Sequence, residues 1–133
     1  NRLNHFKVEE AGEKVAILAL GDFYQRGEQL SAKIKAELGF TPTLINPRFA
    51  SGIDKELLES LSERHQMVIT MEDGILSGGF GEKIASFYGS SDMKVKNYGL
   101  DKKFYDRYDP NELLKEVGMT PVQIIADICN QIK

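Results

Sequence analysis

The sequence predicts an α/β protein folded as a three-layer α/β/α sandwich, and three observations carry that prediction. Short apolar runs alternate with longer amphipathic segments. Glycine, proline or polar clusters punctuate them, and several of the amphipathic segments open on recognisable caps. The first run, residues 14–20 (KVAILAL), is continuously apolar after Lys14 and is stopped by Gly21. It is too short for a buried helix and lacks polar alternation, so it reads as a strand covered on both faces, as in a parallel sheet.

Asp22 then begins a helix with Phe23, Leu30, Ile34 and Leu38 on one side, and Gln25, Arg26, Glu28, Lys33, Lys35 and Glu37 left for solvent. Gly39 stands where a helix C-terminus favours a left-handed residue. Residues 40–46 form a weaker strand, interrupted early by Pro42 and closed by Pro47. A second helix starts at Ile53-Asp54: Asp54 is its cap, and Ile53 with Leu58 has the spacing of a hydrophobic staple. Leu57, Leu58 and Leu61 supply its apolar face, and His65 at its end is placed to meet the helix dipole as an imidazolium.

A third strand spans 67–71 and a further helix runs to Tyr88, with the glycine loop between them. A turn cluster, Gly89 to Asp92, leads to a strand over 94–99 that has one wetter face. A charged and aromatic stretch, 100–108, suits an interface or an ordinary solvated loop. Two capping boxes, Asp109-Pro110-Asn111-Glu112 and Thr120-Pro121-Val122-Gln123, open the last helices. On the terminal one Val122, Ile125, Ile128, Cys129 and Ile132 form a stripe, which makes Cys129 a core residue rather than a nucleophile.

Composition narrows the function classes. A chain of 133 residues with net charge −3 is one domain with room for a substantial core, and it has no basic footprint for nucleic acid. Its apolar runs fall far short of the roughly 20 residues that span a bilayer, and no signal-peptide pattern opens the chain. The expected compartment is the cytoplasm. One cysteine excludes an internal disulfide and a multi-cysteine metal site. Residues 1–12 mix charge with isolated apolar side chains and read as a linker remnant of a longer polypeptide, leaving 13–133 as the domain.

The glycine loop, residues 70–83 (TMEDGILSGGFGEK), carries the densest chemistry. Gly74 and Gly79 have the separation of a phosphate-binding loop, but Phe80 stands where lysine is required. Gly79-Phe80-Gly81 lacks the third glycine of a dinucleotide fingerprint and follows the wrong strand. Backbone amides at the helix start remain available to a carboxylate or phosphate. Glu72 and Asp73 are adjacent, so their side chains diverge on a strand end and form no catalytic pair. Arg48, beyond the end of what reads as a neighbouring strand, is the expected ion-pair partner of Glu72. His5 and His65 have no nucleophile or acid at motif spacing. The residues compose no complete catalytic machine.

In order along the chain, residues 15–18, Arg48-Phe49 with Ile53-Asp54, His65, residues 68–73, Gly78-Gly79-Phe80-Gly81, and Gly99-Leu100 with Phe104 resemble the carboxy-terminal domain of the 1-deoxy-D-xylulose 5-phosphate synthase family, in the transketolase superfamily. The likeness extends from Glu13 to Lys133. It implies a five-stranded, mostly parallel sheet with one antiparallel edge strand, the first. It also implies a parent enzyme that condenses pyruvate with glyceraldehyde 3-phosphate and releases CO₂, feeding isoprenoid, thiamine and pyridoxal synthesis. That parent uses thiamine diphosphate and Mg²⁺, held between two preceding domains of a homodimer. The family's Gly-Asp-Gly cofactor motif is absent, since Leu20-Gly21-Asp22-Phe23 lacks the second glycine. The resemblance therefore assigns this domain no catalytic, cofactor-binding or metal-binding residue.

What the resemblance assigns is an interface or structural loop: Glu72, Asp73, Gly78, Gly79 and Gly81 match the family's glutamate-rich loop, and Arg48 matches an arginine shared with related members. Ser51-Gly52 and Asp101-Lys102 depart from the family's usual loop residues. The related chemistries, transketolase and the β subunit of 2-oxoacid dehydrogenases, thus stay open beside the synthase. A free-standing anion-binding or interaction module is the alternative from another class.

Overall fold

A computed structural model describes residues 5–48, 52–73, 79–100 and 120–132. Five strands, β1 (Lys7–Glu10), β2 (Lys14–Ala19), β3 (Thr43–Asn46), β4 (His65–Asp73) and β5 (Lys94–Leu100), form one sheet in the order β1-β3-β2-β4-β5. All neighbouring pairs are parallel except β1 with β3. Four α-helices accompany them among the described residues: α1 (Tyr24–Leu38), α2 (Lys55–Leu61), α3 (Phe80–Tyr88) and α4 (Pro121–Gln131).

Strand alternation divides the core in two, which is the three-layer architecture the sequence predicts. Val15, Ile17 and Ala19 of β2 face α1 and α4, joining Leu30, Ile34, Ile124 and Ile128. Ala16 and Leu18 face the other way, toward Leu58 and Leu61 of α2 and Phe80, Ile84 and Tyr88 of α3. Residues 15–19 are all fully buried, and a strand apolar on both faces belongs in the middle of such a sheet.

The antiparallel edge strand is the first of the chain, as the resemblance implies, but it is Lys7–Glu10 and not the apolar run 14–19, which occupies the centre. Residues 7–10 lie in the stretch that reads as linker. Their charge suits an edge, because Lys7, Glu9 and Glu10 deter further strand pairing, and Lys35 of α1 reaches Glu10 Oε1 at 2.7 Å. Phe6 just ahead is buried, packs on Phe80, and donates its N–H to Asp54 Oδ2 at 3.0 Å.

The caps fall where the sequence puts them. Asp54 Oδ1 accepts from Leu57 N–H at 3.2 Å, and Thr120 with Gln123 makes a reciprocal capping box with Pro121 at the first helical position. Gly39 ends α1 with φ 78°. The first helix begins later than Asp22, after a 3-10 turn over Gly21–Phe23. β4 is longer than expected at both ends, and β3 starts only at Thr43, after Pro42.

The stripe on α4 is rotated from its expected phase. Ile124, Ile125 and Ile128 are buried, whereas Val122 is 67% exposed and Cys129 is also exposed. Cys129 is therefore not a core residue. The buried set spaced 124-125-128 defines the inward face, and residue 129 lies about 100° further round the helix than 128. The helix expected after Asp109 and the charged stretch from 101 both fall in 101–119, outside the described residues.

Candidate functional site at the carboxyl edge

The parallel strands bring their carboxyl ends to one edge of the sheet, where ligands and partner domains of open α/β folds usually dock. Val68, Thr70 and Glu72 share the face of β4 that looks toward α2 and α3. β5 lies alongside in parallel register, with Thr70 opposite Asn97 and Glu72 opposite Gly99. The consequence is a polar cluster at the end of an otherwise apolar strand.

Glu72 is its centre. The residue is only 6% exposed, and a buried carboxylate requires compensating donors. Oε2 accepts from the backbone N–H of Gly81, the second residue of α3. The helix start thus meets a carboxylate that arrives from β4, and the helix dipole favours it there. Gly79, at the N-cap, makes no side-chain cap bond, so this contact from β4 supplies what a capping side chain ordinarily would.

Two glycines make the arrangement possible for different reasons. Gly79 adopts φ 83°, a left-handed conformation that an L side chain strains. Gly81 has an ordinary helical backbone, but a Cβ there would come within 2.8 Å of both Glu72 Oε2 and Asn97 Cγ. Asn97 is itself oriented by the buried Thr70 hydroxyl, which donates to its Oδ1 at 2.6 Å. Glu72, Gly79, Gly81, Glu82, Asn97 and Gly99 line a cleft of about 270 Å³.

The structure brings some of the expected site residues together and separates others. Glu72, Gly79 and Gly81 form one cluster. Asp73 closes β4 in register with Leu100, while Gly78 lies outside the described residues. Arg48 is exposed at the exit of β3, with φ 61° and its N–H donated to Asn46 Oδ1 at 2.8 Å. The expected Arg48–Glu72 ion pair rested on β3 and β4 being neighbours. Instead β2 lies between them, and one partner of Glu72 Oε2 is the Gly81 amide.

Thr70 opens the stretch singled out in the sequence but received no role there, and Asn97 was not singled out. The alternation Val68-Thr70-Glu72 contains the signal for Thr70, because two polar residues follow an apolar one on a single face. Asn97 had no local signal, since its role depends on the register of β5 against β4.

A model of the family described as transketolase, C-terminal domain, matches residues 4–124, and the chain belongs to that family. It is 33% identical over 132 residues to 1-deoxy-D-xylulose-5-phosphate synthase of Shouchella clausii, covering 98% of this chain and 21% of that protein. The enzyme of the same name from Clostridium perfringens is 38% identical over 115 residues, 85% of this chain and 18% of that one. The chain spans about a fifth of the length of these curated relatives. Among solved structures, a split-gene transketolase described as an inactive β4 tetramer superposes with TM-score 0.75 at 25% identity, over 96% of this chain and 42% of that one.

Among the described residues at this edge, those around Glu72 do not suit a thiamine diphosphate. The Gly81 amide at the start of α3 is engaged by Glu72, and the cleft beside it is lined by the carboxylates of Glu72 and Glu82, which repel a diphosphate. Among the described residues no group of three or more His, Cys, Asp or Glu is placed to hold a metal ion, and no helix is long and apolar enough to cross a membrane.

Proposed function

We propose that this chain is the carboxy-terminal domain of a thiamine-diphosphate-dependent 1-deoxy-D-xylulose-5-phosphate synthase, which converts pyruvate and glyceraldehyde 3-phosphate to 1-deoxy-D-xylulose 5-phosphate and CO₂ in the cytoplasm. The observation that carries this reading is the match of 98% of the chain to one end-use, a synthase of that name, at 33% identity. In this role the domain packs against preceding thiamine-binding domains, supports a homodimer, and leaves the chemistry, the cofactor and Mg²⁺ to those domains. Arg48, Glu72, Asp73, Gly78, Gly79 and Gly81 serve as an interface or structural loop. The internal anchoring of Glu72 on Gly81 supports that role, because it occupies an amide at the start of α3 that an external anion would otherwise use.

The test is to express the complete reading frame beside the 133-residue chain. The complete protein is expected to bind thiamine diphosphate and to form 1-deoxy-D-xylulose 5-phosphate, while the chain alone does neither. Tight cofactor binding or pyruvate turnover by the isolated chain overturns the proposal. A second reading, a transketolase, is favoured by the superposition on the split-gene transketolase. Two-carbon transfer between sugar phosphates by the complete protein, without consumption of pyruvate, selects it.

A further inference from the structure

At the opposite end of the sheet, hydrogen bonds run in series through residues that the functional reading leaves unused. Gly12 N–H donates to Thr43 Oγ1 at 2.9 Å, Thr43 Oγ1 lies 2.6 Å from His65 Nε2, and His65 Nδ1 lies 2.8 Å from the Leu61 carbonyl oxygen. A carbonyl only accepts, so Nδ1 carries a ring hydrogen, and in the neutral imidazole Nε2 keeps its lone pair. The Thr43 hydroxyl must then donate to Nε2 while accepting from Gly12. The series links the β1–β2 turn, the first residue of β3, the first residue of β4 and the last turn of α2.

The turn is seated tightly on the entry to β3. A Cβ on Gly12 would overlap the Thr41 carbonyl oxygen, to which Glu13 N–H also donates at 2.8 Å. Beyond the turn, β1 is held to the sheet by a ladder to β3 alone, with an irregularity between Val8 and Glu10. The Gly12–Thr43 bond is therefore one of three ties at the root of the edge strand, beside the Glu13–Thr41 backbone bond and the Lys35–Glu10 ion pair on the last residue of β1.

A proton on Nε2 would point at Thr43 Oγ1. The oxygen has a second lone pair to accept it, but only with its own hydrogen turned away from Nε2. Thr43 is 3% exposed, where a stranded donor is costly, and a side-chain rotation that finds that hydrogen another acceptor takes Oγ1 off the Gly12 amide. Burial of the ring is the largest influence disfavouring the imidazolium; Arg64 in the α2–β4 turn adds to it, and the Leu61 carbonyl and Glu13 oppose it. Lys14, in register with His65 on β2, directs its ammonium over the Phe40 ring, 5.1 Å from the centroid. β3 contributes the neutral Thr43 hydroxyl.

We propose that the Gly12–Thr43–His65 series is a proton-sensitive latch: with His65 neutral it clamps the β1–β2 turn, and with His65 protonated it lets go of the Gly12 amide and loosens edge strand β1. This inference is independent of the enzyme family of the chain.

The experiment is an NMR titration of the 133-residue chain from pH 8 to 5, following the His65 ring nitrogens and amide hydrogen exchange at Gly12, each rate taken relative to its intrinsic value at that pH. Protection at Gly12 should fall about tenfold, as for the loss of one ordinary hydrogen bond, over the range in which His65 titrates, while Ile17 in the central strand stays protected. Thr43→Val should leave Gly12 weakly protected at every pH and move the His65 titration upward; Thr43→Ser should restore both. Constant Gly12 protection through the His65 titration overturns the latch. So does pH-dependent protection that survives in Thr43→Val, and if that variant does not fold, the parent chain and Thr43→Ser still decide the matter.

Discussion

The Tyr98 hydroxyl donates to Asp127 Oδ2 at 2.5 Å, joining β5 to α4 across the face of the sheet opposite the Glu72 cluster. Tyr98 is 4% exposed, and its phenol is held well above the ordinary tyrosine range, by burial first and then by the Asp127 carboxylate. A raised folded-state pKa contributes stability that is present below the unfolded value of about 10 and is lost as pH rises beyond it. Stability should therefore decline at strongly alkaline pH in the parent chain. In Tyr98→Phe that decline should shrink, with a cost at neutral pH of about 1 kcal/mol for the lost hydrogen bond to the partly exposed Asp127 carboxylate. Denaturant midpoints at pH 7 and pH 10.5 check both.

Alanine at the two glycines of the α3 start should cost different amounts for different reasons. Gly79→Ala meets only the left-handed backbone, a penalty of about 1–2 kcal/mol. Gly81→Ala forces Glu72 and Asn97 apart, and overpacking of that kind costs about 1–3 kcal/mol. The discriminating measurement is a crossed one: Asn97→Gly should relieve part of the Gly81→Ala cost and none of the Gly79→Ala cost. Equal relief of both would rule out close approach as the reason for Gly81.

On the acid side, His65 sets the expected sign. Its folded-state pKa is lowered, chiefly by burial, so the unfolded chain binds more protons near pH 6. The stability it confers is complete above the unfolded value of about 6.5 and falls as pH drops toward the folded value. His65→Gln should flatten that part of the stability profile, measured by urea unfolding between pH 7.5 and 5.

Cys129 is exposed on α4. A thiol reagent should label it in the native chain at close to the rate seen in denaturant, and Cys129→Ser should change stability by less than about 0.5 kcal/mol. Protection from labelling until the chain unfolds would reinstate the core position that the sequence suggests.

Features that depend on neighbours a few residues apart are written in the chain itself. The apolar run 14–20 read as a strand buried on both faces, Asp54 and Thr120 were legible as caps, and the punctuation between them set the three-layer class. The region Glu72 to Gly81 also stood out locally, through its acids and glycines.

What those residues touch depends on how the elements pack. Strand order placed β2 between β3, which leads to Arg48, and β4, which carries Glu72. It also made residues 7–10 an edge strand, although four charged and isolated apolar residues carry no strong strand signal. The parallel register of β5 brought Asn97 to Thr70 and beside Gly81, and the rotation of α4 brought Asp127 to Tyr98 and left Cys129 outside. Periodicity and capping are encoded over one or two turns of chain. Strand order and register are set by the packing of both cores at once, and a local pattern does not contain them.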